Sequence, residues 1–167
     1  MPADIRTNVP EKTLRTKAVD NIITALKDLL FKPLAPNATT NPKLFDNVEY
    51  GILEDINVRE TPGCRVQEGE EEKDDAMYMK STKKLRLYIH FKIVNINGVD
   101  QTSLINYYLG RIAAALITPE NFEDWGIMDL DEVGNQIISN GETDPEPGAT
   151  VWYDMEYRHT VGDYFTE

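Results

Sequence analysis

This sequence predicts a single α+β domain: an antiparallel or mixed β-sheet with two main helices packed on one face. Two patterns predict it. Apolar residues recur at helical spacing in two separate stretches, and apolar and polar residues alternate through two long ones. The alternating segments are grouped apart from the helical ones rather than interleaved with them, so the helices are expected to share one face of the sheet. The 167 residues, taken as one unit over 1–167, suffice for a single core and show no internal repeat.

Leu14, Ala18, Ile22, Leu26 and Leu30 recur every four residues, and Ile23 and Leu29 widen the stripe, so Glu11 to Phe31 reads as an amphipathic helix. Asn8 and Glu11 form a capping pair at its start, and Pro33 stops it by disfavouring helical geometry at Lys32. After a loop from Pro36 to Pro42, Val48, Tyr50 and Ile52 alternate with Glu49, Gly51 and Leu53 as a first strand. A turn at Thr61-Pro62-Gly63 leads to a short strand around Arg65 to Gln67. The run Glu68 to Asp75 (EGEEEKDD) is too charged to pack, so a flexible, solvated acidic loop is expected over 68–80.

The strongest strand follows, with Leu85, Leu87, Ile89, Phe91 and Ile93 on one face and Arg86, Tyr88, His90 and Lys92 on the other. Asn97-Gly98 closes it. Asp100 caps a second helix, in which Leu104, Ile105, Tyr108, Leu109, Ile112, Ala113 and Leu116 form a wide apolar stripe. Thr118-Pro119-Glu120 has the chemistry of a helix start, and Ile127, Met128, Leu130, Ile137 and Ile138 read as strand pieces broken at Gly134. A second loop is expected over 139–149. In the last alternating segment, Thr150 to Thr160 (TVWYDMEYRHT), Val151, Tyr153, Met155, Tyr157 and His159 share one face; Trp152, Asp154, Glu156 and Arg158 share the other. Such a strand is easily placed at a sheet edge, where its unpaired N–H and C=O groups can bond to another copy. Trp152, Asp154, Glu156 and Arg158, with Tyr88, are therefore candidate interface residues.

Composition narrows the function. Twenty-nine acidic against seventeen basic side chains give a net charge of -12, which opposes a groove that grips phosphates. Passage of DNA is compatible with that charge, because a like-charged wall lets a polyanion slide without sticking. The opening MPADIRTNVPEKT has no apolar signal region, and no apolar run approaches the roughly 18 residues needed to span a bilayer. A reducing cytoplasm and no membrane partner are expected, and the single cysteine, Cys64, agrees.

His90 and His159 are the ready general bases near neutral pH, yet no serine or cysteine sits in a nucleophile elbow. Asp129, Asp131 and Gly134 fit the opening of a calcium loop over Asp129 to Asn140. Val133 and Asn140 stand where oxygen ligands belong, so a polar turn is expected instead. No phosphate-loop, dinucleotide or zinc spacing occurs. No catalytic residue, cofactor or metal is therefore expected.

Taken in order, AVDNIITALKDLL, VEYG, PGCRV, LRLYIHFKIV, SLINYYLGRIAAAL and the closing VWYDMEYRHTVGDYF resemble the tail terminator (tail-completion, minor tail protein) family of long-tailed bacteriophages. The segments over 68–75 and 125–148 match none of its motifs. The resemblance implies a homo-oligomeric ring, commonly a hexamer, that caps the last ring of the tail tube and stops its polymerisation. Its other face would meet the neck or head connector, with a sheath as a further neighbour, and DNA would pass through the hole without specific binding. The implied location is the tail and neck of the virion, after assembly in the host cytoplasm. In that setting Glu68, Glu70, Glu71, Glu72, Asp74 and Asp75 are candidates to face the channel. Two alternatives stay open: a head-completion or neck adaptor ring, and a small metal-dependent hydrolase built on His90 or His159.

Overall fold

A computed structural model of the chain describes residues 12–31, 41–57, 59, 61–77, 80–138 and 146–160, the side chains of 74–77 excepted. The first helix, α1, spans Leu14–Lys27. Thr13 caps it by accepting from the Thr16 backbone N–H, while the expected capping pair Asn8 and Glu11 lies outside the described residues. The helix was expected to reach Phe31 and stops four residues short. Leu29 to Phe31 exchange helical bonds for an antiparallel pairing: the Phe31 N–H donates to the Pro42 carbonyl at 2.8 Å, and the Leu44 N–H donates to the Leu29 carbonyl at 2.7 Å.

Strand β1 is Asn47–Tyr50, and the chain then turns through a 3-10 segment at Leu53–Asp55. The expected strand through Leu53 is thus cut short at Gly51, whose φ of +157° is one that side-chain-bearing residues rarely adopt, and Asp55 Oδ2 accepts from the Ile52 N–H at 2.9 Å to hold the turn. Strand β2 runs over Gly63–Met77 and β3 over Lys80–Lys92. This corrects the short strand and the flexible acidic loop: Glu68 to Asp75 lie within β2, paired antiparallel to β3. Two irregularities in the ladder, at Glu68/Glu71 and Lys73/Ala76, bend the pair without ending it.

Helix α2 spans Gln101–Leu116 with Asp100 as its cap, and α3 spans Pro119–Trp125 behind Thr118, ending at Gly126 in the left-handed region (φ +66°). Strand β4 is Asp129–Ile138, continuous across a bulge at Glu132/Gly134, and β5 is Gly148–Thr160. Of the loop expected over 139–149, residues 139–145 lie outside the described residues, whereas Gly148 and Ala149 already belong to β5.

The strands form one five-stranded mixed sheet in the order β1-β2-β3-β5-β4, with β1 parallel to β2 and every other pair antiparallel. The order overturns one expectation. β5 is an interior strand, paired along its whole length with β3 and over most of it with β4, so it is not a free edge. The assignment of its faces holds: Val151, Tyr153, Met155, Tyr157 and His159 are buried, and Trp152, Asp154 and Glu156 are half-buried on the opposite face.

Helices α1 and α2 cover the first face. Ile22, Leu26, Ile105 and Ile112 join Leu85, Leu87, Ile89 and Phe91 in one core, each nearly devoid of exposure. Phe45, Phe91 and Tyr108 form an aromatic triangle there with centroids 5.5 to 6.0 Å apart. No helix among the described residues is long and apolar enough to cross a membrane.

Candidate functional site

The acidic run divides between the two faces of the sheet. Strand alternation puts Cys64, Val66 and Glu68 on the core side; the extra residue at Gly69-Glu70 shifts the parity, so that Glu71, opposite Leu85, returns to the same side. Both carboxylates meet Arg15 of α1. Its Nη2 and Nε donate to Glu68 at 2.6 and 3.2 Å, and its Nη1 donates to Glu71 at 3.1 Å. Lys83 Nζ at 3.2 Å and the Tyr157 hydroxyl at 2.6 Å complete the shell of Glu71. Burial opposes ionisation of Glu71, but Tyr157, Lys83 and Arg15 together outweigh it and hold the carboxyl below its ordinary range. Glu68 and Glu71 thus clamp the start of α1 to the hairpin. This corrects the solvated-loop reading for both residues, which are part-buried and paired.

Glu70 and Glu72 stand on the other face, around a shallow recess shared with Lys84, Arg86 and Asp154. Asp74 and Asp75 lie in β2, and their side chains fall outside the described set. The six acidic candidates are therefore not one cluster.

The face away from the helices carries the candidate interface residues. Tyr88 is registered opposite Trp152, Arg86 opposite Asp154 and Lys84 opposite Glu156. Arg86 grips Asp154 with two bonds, Nε at 2.8 Å and Nη2 at 3.0 Å. Lys84 approaches Glu156 at 3.1 Å. The structure thus brings Tyr88, Trp152, Asp154 and Glu156 together as neighbouring rows. Arg158 is exposed further along β5, opposite Thr82, beside Lys80 and Phe122.

Two glycines missed as functional form the floor of the aromatic row. A Cβ on Gly69 would come within 2.6 Å of the Tyr88 ring, and one on Gly134 within 2.9 Å of the Trp152 ring. The rings lean over β2 and β4 into the space the glycines leave, as aromatic side chains do beside strand glycines. At the β1 end this face is covered by the crossover between β1 and β2, where buried Arg65 donates to Asn47 Oδ1 at 2.7 Å and to the Cys64 carbonyl at 3.0 Å. Arg65 was read only as part of a short strand; its role depends on a crossover that periodicity does not describe.

His90 bridges three strands: Nδ1 lies 2.8 Å from Thr150 Oγ1 and Nε2 lies 2.9 Å from Gln67 Oε1. Burial holds its imidazole below the ordinary value, against a weaker pull from Glu54. His159 is buried at the far end of β5, with Nδ1 2.8 Å from the Thr160 carbonyl oxygen. Burial pushes the Cys64 thiol far up, which removes its nucleophilic form. Asp129 to Ile138, weighed above as a calcium loop and then as a polar turn, is a strand, so Asp129 and Asp131 point along one face instead of around an ion. What this arrangement offers is a charged and aromatic sheet face suited to contact with another macromolecule.

No family model matches the chain, and no curated protein matches it.

Proposed function

We propose that this chain is a non-enzymatic structural subunit, a tail terminator of a long-tailed bacteriophage. It assembles as a closed ring, commonly a hexamer, that caps the tail tube, stops its growth and joins tail to neck while DNA passes through. The observation that carries the reading is the one-sided layer. Helices α1 and α2 cover one sheet face, while the other keeps a half-buried Tyr88–Trp152 pair among paired charges, with no helix over it among the described residues. Aromatic anchors ringed by charge are the composition of a protein interface.

A second patch differs in chemistry: Val94, Ile96 and Val99, after β3, are 54%, 40% and 42% exposed. Contact between unlike patches on successive copies is the heterologous type that closes into rings. The reading rests further on the resemblance noted in the sequence, whose quoted segments fall on α1, β1, the start of β2, β3, α2 and β5. In that ring Glu70 and Glu72, exposed on the open face, are candidates to face the channel; Asp74 and Asp75 keep that candidacy, their side chains lying outside the described residues. Both ring nitrogens of His90 are engaged by Thr150 and Gln67, which favours a structural histidine over a base.

The test is addition of the purified protein to growing tubes of the same phage's tube protein. Tubes should stop lengthening, each with a particle at one end. Tubes that lengthen unchanged contradict the assignment.

A further inference from the structure

The rows of charge on the open sheet face do not balance at their β4 end. Across β3 and β5, Lys84 meets Glu156 and Arg86 meets Asp154, while Arg158 faces Thr82. On the other side of β5, acid faces acid: Asp129 is registered with Glu156 and Asp131 with Asp154. Like charges directly opposite one another destabilise an antiparallel pair. Asp129 and Asp131 are two residues apart, so they share one face and present their surplus charge at strand spacing.

The same strand is a sheet edge. Among the described residues nothing pairs with the outer side of β4 over Asp129–Ile138, a segment without lysine or proline. Val133 and Ile137 are exposed on it at 48% and 37%, available to pack against an added strand.

We propose that the outer edge of β4 takes up an extended segment of another protein that carries arginine or lysine at alternate positions. The segment adds a strand to the sheet, and its basic side chains complete the two rows at Asp129 and Asp131. Charge complementarity selects the occupant. A second copy offers as its other edge β1, whose sequence NVEY brings Glu49 and no base, and the part of β2 beyond Val66, where the one base, Lys73, stands among six acids; β4 against β4 adds only further acids. Nucleic acid is repelled by the same carboxylates. The inference uses one protomer's edge alone and stands apart from the ring reading.

The probe is a synthetic peptide of alternating arginine and threonine, compared with one of equal composition whose arginines form a single block. Affinity is read by fluorescence anisotropy and location by amide hydrogen exchange. The alternating peptide should slow exchange along β4 and bind on the order of 10-fold more tightly than the block peptide. Asp129→Asn with Asp131→Asn should weaken it roughly 10- to 100-fold, since each asparagine keeps one acceptor oxygen but loses the charge and turns the second acceptor into a donor. The free double variant should melt at a higher temperature than the parent, because the acid–acid pairs are relieved. Glu120→Gln with Glu123→Gln, on exposed positions of α3, should leave affinity unchanged. Equal binding of the block peptide, protection elsewhere than β4, a lowered melting temperature in the double variant, or β4 protection that rises with protein concentration alone overturns the proposal.

Discussion

Trp152 on β5 stands directly opposite Tyr88 on β3, their ring centroids 6.5 Å apart, and each ring lies over a glycine of the strand beyond it. The row Gly69, Tyr88, Trp152, Gly134 therefore crosses four strands and makes an aromatic strip, its two rings tilted 49° to each other, on the face that the helices leave open. In the ring proposed above, the strip is the surface that meets a neighbouring copy. The glycines give up strand propensity, and the rings gain a seat on the sheet from which they can meet a partner.

Gly69→Ala tests the seat. The new Cβ would sit 2.6 Å from the Tyr88 ring and 3.3 Å from the Arg86 carbonyl oxygen, so the ring must lift. A loss of about 1–3 kcal/mol in urea unfolding is expected, with a changed near-ultraviolet circular dichroism signal. An unchanged aromatic signal would mean that the ring does not rest on Gly69.

Phe91→Ala tests the core. Phe91 is fully buried between Phe45 and Tyr108, and its removal should cost roughly 3–5 kcal/mol. A shift of the thermal midpoint near zero would show that this face is not the packed one.

Tyr153→Phe should act in the opposite direction. The Tyr153 side chain is fully buried and its hydroxyl has no hydrogen-bond partner among the described residues. Removing it relieves a desolvated polar group, so stability should rise by about 1 kcal/mol. A clear loss of stability on chemical unfolding would reveal a partner for the hydroxyl.

Glu71→Gln tests the clamp through pH. The Glu71 carboxyl is held below its ordinary value of 4.5, so it contributes stability above that value and loses it as the pH falls through the lower folded value. At neutral pH the variant should be less stable by about 1–2 kcal/mol, after allowance for solvent screening. The gap between parent and variant should narrow below pH 4.5. A gap that stays constant through acid titration would contradict the ionised clamp.

The α+β class, both long helices and the inward faces of β3 and β5 were legible because each depends on periodicity within one segment. The position of β5 was not: alternation assigns Tyr153 inward and Trp152 outward but says nothing of which strands flank them. The acidic run hid for a different reason. Glu68 and Glu71 read as solvated by charge count, and the groups that stabilise them, Arg15, Lys83 and Tyr157, come from distant segments. The bulge at Gly69-Glu70 also breaks the alternation that would have marked β2 as a strand. At Asp129 and Asp131 the residue types suggested a calcium loop, and only the register with Asp154 and Glu156 shows them as a face of an edge strand.

Negative-stain electron microscopy of the purified, untagged protein, with native mass spectrometry of the same sample, tests the central claim most directly. The account predicts closed rings of identical copies with a central hole, disrupted when Trp152 and Tyr88 are both replaced by serine in a chain that still folds. Particles that remain monomeric at assembly concentrations, or rings that persist in that double variant, would contradict it.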